Sequence, residues 1–219
     1  MTQASNGRAQ GSRRFKKTLI ALAIGGVSGF LGATLALRFL DADSMPDVGA
    51  SVEIAVLVAM LYVLTGVAVG VGVLSPKMGA KFLNVEDAEE LQEQRSMLAY
   101  STFGMIGAGA ALGTVALGGE AGVVDPVWAL VIFAVLTVLA VWLSLKSLKI
   151  QDELMRAVGR ETGALSFYLT VGIGGTWALL AHLGFTAAPQ PLDWLTMFWS
   201  LMLVACFIII GKRGMMALR

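Results

Sequence analysis

Residues 127–148 read VWALVIFAVLTVLAVWLSLKSL, and no charged side chain occurs before Lys146. A hydrocarbon core about 30 Å thick needs roughly 20 apolar residues in a helix. Each Asp, Lys or Arg at its centre costs roughly 2.5–3.5 kcal/mol on insertion scales. The stretch therefore predicts a membrane crossing. Five more stretches share its character, at Thr18–Leu40, Val52–Leu74, Met97–Leu117, Ala164–Phe185 and Leu192–Gly211. None carries a charge near its centre.

The fold expected is all-α: a polytopic membrane protein, a six-transmembrane-helix bundle over residues 18–211. Residues 1–17 form a basic tail expected to be disordered, and residues 212–219 a short second tail. Of the 219 residues, 57% are apolar and 14% charged. Soluble domains carry about a quarter charged residues, so the surface of this chain is built for lipid.

Charge placement sets the expected direction. Fifteen of the sixteen Lys and Arg residues fall before the first span, between spans two and three, between four and five, or after the sixth. Arg38 is the exception, and it can snorkel from a helix end. The opposite loops hold Asp41, Asp43, Asp47, Glu120, Asp125 and Asp193. The positive-inside rule assigns the basic side to the cytosol, with both termini there and a bacterial inner membrane as the expected location. The basic run Ser12-Arg13-Arg14-Phe15-Lys16-Lys17 resembles a twin-arginine export signal. With a spanning segment next to it and five more to follow, it reads as a basic anchor.

All five prolines lie in loops or at span ends, which predicts spans without proline breaks. Spans three and five share a pattern. Aligning Glu93 with Glu161 also aligns Tyr100 with Tyr168, Thr102 with Thr170, Gly104 with Gly172 and Gly107 with Gly175. Both helices run the same way, so a duplication would give parallel helix hairpins. The glycine pairs, together with Gly25 and Gly29 of span one, are the candidate helix-packing residues, because small side chains let backbones approach. Spans four and six are bulky, so they are expected to face lipid around a centre of odd-numbered spans.

On the cytosolic side, Asn84-Val85-Glu86-Asp87 has the form of a helix start. The helix it opens carries Glu86, Asp87, Glu89, Glu90 and Glu93; with Glu161 these are the candidate cytosolic contacts, able to attract the basic tail or a basic partner surface. Residues 146–161 form a second segment, in which Ile150, Leu154 and Val158 make an apolar stripe and Asp152 can pair with Arg156.

Motifs for chemistry are sparse. Gly26-Val27-Ser28-Gly29 resembles the Gly-x-Ser-Gly of rhomboid proteases, which also use six spans and an intramembrane Ser–His pair. The geometry opposes that role here. Ser28 lies roughly 15 Å deep from the cytosol and His182 roughly 27 Å at 1.5 Å per residue, whereas a nucleophile and its base meet within about 3 Å. One His and one Cys (Cys206) leave no His- or Cys-rich metal, haem or iron–sulfur site. No nucleotide or zinc-protease motif occurs. No cofactor and no nucleic acid partner is expected; lipid, a second copy or another membrane protein is.

Two functions follow. The first is a non-enzymatic packing, assembly or accessory component. The alternative is a small channel or secondary transporter for an uncharged or small solute. A solute path requires Tyr62, Thr65, Ser101, Thr114, Thr137 and Thr176 to converge; assembly has them face separate grooves. Reporter fusions at each terminus are expected to read cytosolic at both ends, and reporters in opposite compartments would end the six-span reading.

Overall fold

The computed structural model describes residues 34, 38, 49–74, 95–119 and 122–215. Five helices among them are long and apolar enough to cross a membrane. They are α1 (Ala50–Leu74), α2 (Arg95–Ala116), α3 (Pro126–Ile150), α4 (Glu153–His182) and α5 (Pro191–Lys212). No strand forms among the described residues; a single β-bridge joins Gly118 and Val124 beside the α2–α3 turn. The first expected span and the acidic segment 84–93 lie outside the described residues, and with them Gly25, Gly29, Ser28, Glu86, Asp87, Glu89, Glu90 and Glu93.

The helix starts follow capping chemistry. Pro126 opens α3, where its missing N–H costs nothing. The Asp125 carboxylate accepts from the Val127 and Trp128 amides at 2.9 and 3.4 Å. Pro191 opens α5, and the Gln190 amide donates to the Asp193 carboxylate at 2.7 Å. The segment 146–161 does not form one helix. Gln151 is extended (φ −73°, ψ 139°), and Asp152 accepts from the Met155 amide at 2.7 Å. The Asp152 side chain therefore caps a new helix instead of pairing with Arg156. Ile150 ends α3 while Leu154 and Val158 belong to α4, so the expected stripe is divided.

α4 is interrupted as well. Thr170–Gly174 is a π-helical turn between Glu153–Leu169 and Gly175–His182. Proline counting misses this break, because here the widened turn falls on a glycine-rich run.

The centre lies where α1, α2 and α5 meet. Ala55, Val56, Ala59, Leu112 and Ala116 form the buried core, with Leu192, Leu195 and Trp199 packed against it. The expected arrangement is corrected on two counts. Span six is central: Thr196, Leu201, Leu203, Ala205 and Ile209 of α5 are buried. Span five is peripheral, since α4 buries only Val158, Thr162 and Gly174. α3 does present a mostly exposed face, as its bulk predicts. Bulk does not decide burial in lipid, because lipid tails are as apolar as Leu.

Close approach does decide it. A methyl group at Gly109 would sit 2.6 Å from the Ala59 carbonyl oxygen, and one at Gly66 would sit 2.8 Å from Ile106. By contrast, nothing described lies within 4 Å of such a group at Gly104, Gly107, Gly172 or Gly175. At about 100° per residue, Thr102 and Gly109 point away from Gly104 and Gly107, and Thr102 fills the notch at Gly70. The packed face of α2 is thus opposite the expected one. The two aligned segments also differ in surroundings: Tyr100 is half-buried, while Tyr168 is 70% exposed.

Gly109→Ala is expected to destabilise the protein by about 1–3 kcal/mol, the usual range for overpacking. Gly104→Ala is expected to be neutral or stabilising. Thermal unfolding in mild detergent checks the contrast.

Candidate functional site

Trp199 of α5 makes contacts to three other helices. Its indole N–H donates to the Ala108 carbonyl of α2 at 3.0 Å. Its own carbonyl accepts from the Tyr62 hydroxyl of α1 at 2.9 Å. Its ring lies 6.3 Å from Phe133 of α3. One residue of α5 therefore touches three other helices. Buried Tyr and Trp need partners for their polar tips, and here each takes a helix carbonyl as acceptor.

Several of the remaining hydroxyls of the spans close locally, although the buried Thr102 hydroxyl has no partner among the described residues. The hydroxyls of Thr65, Ser101 and Thr114 donate to Leu61, Met97 and Ala110 at 2.7, 3.1 and 2.7 Å. Thr176 does the same to Gly172. Each acceptor is the carbonyl four residues earlier on the same helix. Thr137 lines an apolar trough with Ala108, Leu136, Ala140 and Trp199. Four of the six residues of the candidate polar track thus commit their hydroxyls to their own helices.

The trough has a volume of about 250 Å³ and lies between α2 and α3. Ser144 is on its wall and also on the wall of a larger cavity of about 590 Å³. That second cavity is polar at its mouth. Tyr100 and Ser101 come from α2, Ser144 and Ser147 from α3, and Arg156 and Arg160 from the first turns of α4. Gln151 closes the rim, donating to the Ser147 hydroxyl at 3.0 Å. The cavity exists because α4 packs along α5 rather than against α2 and α3. The sequence reading placed Gly104 on a helix contact; the structure places it, with Tyr100, on this open wall. Arg156 and Arg160, spaced four apart at the foot of a span, were the available signal.

Glu161, a candidate cytosolic contact, is engaged within the chain. Its carboxylate accepts from Arg213 at 2.5 and 3.2 Å, a two-point contact between α4 and the end of α5. It is the only salt bridge among the described residues. Farther along α4, Gly174 lies against Met197 and Trp194 of α5, and the Trp177 indole donates to the Ala187 carbonyl at 3.0 Å. Among the described residues no three of His, Cys, Asp and Glu cluster for a metal. Cys206 is a free thiol, half-buried in α5. Comparison with family models, with curated proteins and with solved structures finds no match.

Glu161 stands before the apolar part of α4 begins at Ala164. The Arg213 hydrogen bonds hold its carboxyl below the ordinary value of 4.5; burial opposes this, and the charges of Arg213, Arg160 and Lys212 reinforce it. A depressed folded pKa means the pair stabilises above the unfolded pKa and is lost as pH falls through the folded one. Wild type is expected to melt higher than Glu161→Gln near neutral pH. That gap should close on acidification, as the pH falls below the ordinary value of 4.5 and through the lowered folded one; melting temperature across the series reads it.

Proposed function

We propose that this multi-pass helical membrane protein is a non-enzymatic packing or assembly component. In this reading it crosses a membrane of the bacterial inner-membrane type six times with both ends in the cytosol. It associates through its helices with a second copy or with another membrane protein, and its acidic segment at residues 86–93 offers a cytosolic contact.

What supports the reading is the disposal of the span hydroxyls. Thr65, Ser101, Thr114 and Thr176 each bond to their own helix, and Tyr62 bonds to Trp199. A solute crossing the bilayer needs polar groups presented in succession along one route, and hydroxyls committed to their own helix carbonyls are less available to form one. The spans also hold no charged side chain at their centres, and intramembrane charge is the usual mark of ion or proton coupling.

The experiment is purification of the tagged full chain in mild detergent with its mass read by light scattering. The expected mass exceeds that of one chain, either as a homo-oligomer or with a stoichiometric membrane partner. Gly172→Leu and Gly175→Leu, on the open face of α4, are expected to shift it toward one chain, while Val135→Leu on α3 leaves it unchanged. A single chain with no partner, melting higher in the presence of a small neutral solute, would replace this reading with the transporter alternative.

A further inference from the structure

The two grooves between α2 and α3 adjoin at Ser144, which lines both, and their chemistry changes from one to the other. At the cytosolic end stand Arg156 and Arg160, one helical turn apart, with Tyr100, Ser101, Ser147 and Gln151. Beyond Ser144 the wall is Ala108, Ala111, Leu136, Ala140, Val141 and Trp199. From Ser147 to Leu136 is eleven residues, roughly 16 Å along a helix. Half of a hydrocarbon core about 30 Å thick is roughly 15 Å. The groove from Ser147 inward is therefore about as deep as one leaflet, of which the apolar part beyond Ser144 takes roughly 12 Å, and the basic part sits where headgroups lie.

Neither arginine forms an ion pair with a described residue. Of the nearby carboxylates, Asp152 caps α4 at the Met155 amide, Glu161 binds Arg213, and Glu153 forms no salt bridge with either arginine. Arginine forks suit phosphate oxygens, and basic pockets between transmembrane helices on the cytosolic side take anionic headgroups. We infer that the groove between α2, α3 and the foot of α4 is a binding site for one anionic phospholipid of the cytosolic leaflet. Arg156 and Arg160 would hold the phosphate, Tyr100 and Gln151 would border it, and an acyl chain would lie in the trough down to Trp199. This requires that the helices span a bilayer with Arg156 and Arg160 on the cytosolic side, and does not rest on the assembly reading.

The test uses the full-length protein in mild detergent, examined by native mass spectrometry with phosphatidylglycerol and with phosphatidylcholine of the same chains. Wild type is expected to retain phosphatidylglycerol about tenfold better. The Arg156→Gln/Arg160→Gln variant should lose that preference. Lys146→Gln/Lys149→Gln, an equal charge change on α3, should keep it. Ala140→Trp, which fills the trough and leaves the arginines, should weaken retention of the lipid. Arg156→Lys/Arg160→Lys serves if the Gln variant misfolds, with an expected partial loss. Equal retention of the two lipids overturns the proposal, as does equal loss in the two charge variants. Displacement by millimolar glycerol phosphate with no effect of Ala140→Trp also overturns it, because the site would then take a free phosphate ester.

Discussion

Lipid supplies no hydrogen bonds, and that constraint organises most of the polar side chains in these helices. A hydroxyl in the spans has two inexpensive solutions. It can turn back to the carbonyl four residues earlier, as Thr65, Thr114 and Ser200 do. It can also reach a carbonyl on another helix, as Tyr62 does. The first solution leaves the bundle indifferent to the hydroxyl; the second ties helices together. Tyr62 and Trp199 take the second, and so α1, α2 and α5 are joined by groups that must otherwise remain unsatisfied. Interhelical bonds of this kind average about 0.6 kcal/mol in membranes, so they orient the bundle more than they hold it. Contact of backbones at Gly66 and Gly109 does the holding, because close packing replaces the water-driven term that soluble cores rely on.

This division explains which parts of the fold were legible in the sequence. The described spans were, because hydropathy reports exposure to lipid directly: Val52–Leu74 became Ala50–Leu74, and Leu192–Gly211 became Pro191–Lys212. α4 begins eleven residues before the apolar window because its first turns stand outside the hydrocarbon, where hydropathy is silent. The side-by-side arrangement was not legible. Residues 102–113 of α2 carry small residues on two opposite faces, with Gly104 and Gly107 on one and Gly109 and Gly113 on the other. Periodicity cannot say which face a partner covers. Trp199 was hidden for the opposite reason. It sits among Trp194, Phe198 and Met202 in a span of bulky residues, and its hydrogen-bonded partner Tyr62 is 137 positions away.

The candidate site follows the same logic. Arg156 and Arg160 were visible as cytosolic charges, but their role as one wall of a groove depends on where α4 goes. Two local events send it there. Gln151 adopts an extended conformation, and Asp152 restarts the helix by capping Met155. A continuous helix from α3 would have carried the arginines away from Tyr100 and Ser101. The acidic residues 86–93, the strongest electrostatic feature of the sequence, lie outside the described residues, so that end of the bundle is described here through its basic residues.

α4 is fixed differently from the rest. Its ties to α5 are the Arg213–Glu161 pair outside the hydrocarbon and the contact of Gly174 with Trp194 and Met197. The first is exposed and screened by solvent; the second is steric and specific. The π turn Thr170–Gly174 ends at Gly174, so the widened backbone and the side chains of α5 meet at one place. Gly174 is buried while Gly172 and Gly175, on either side, are open. The turn thus sets which glycine α5 receives and which glycines remain on the outward face. A regular helix through these residues would rotate that face by the offset of the extra π residue. The break in α4 therefore links how it docks on α5 with what it presents to the membrane.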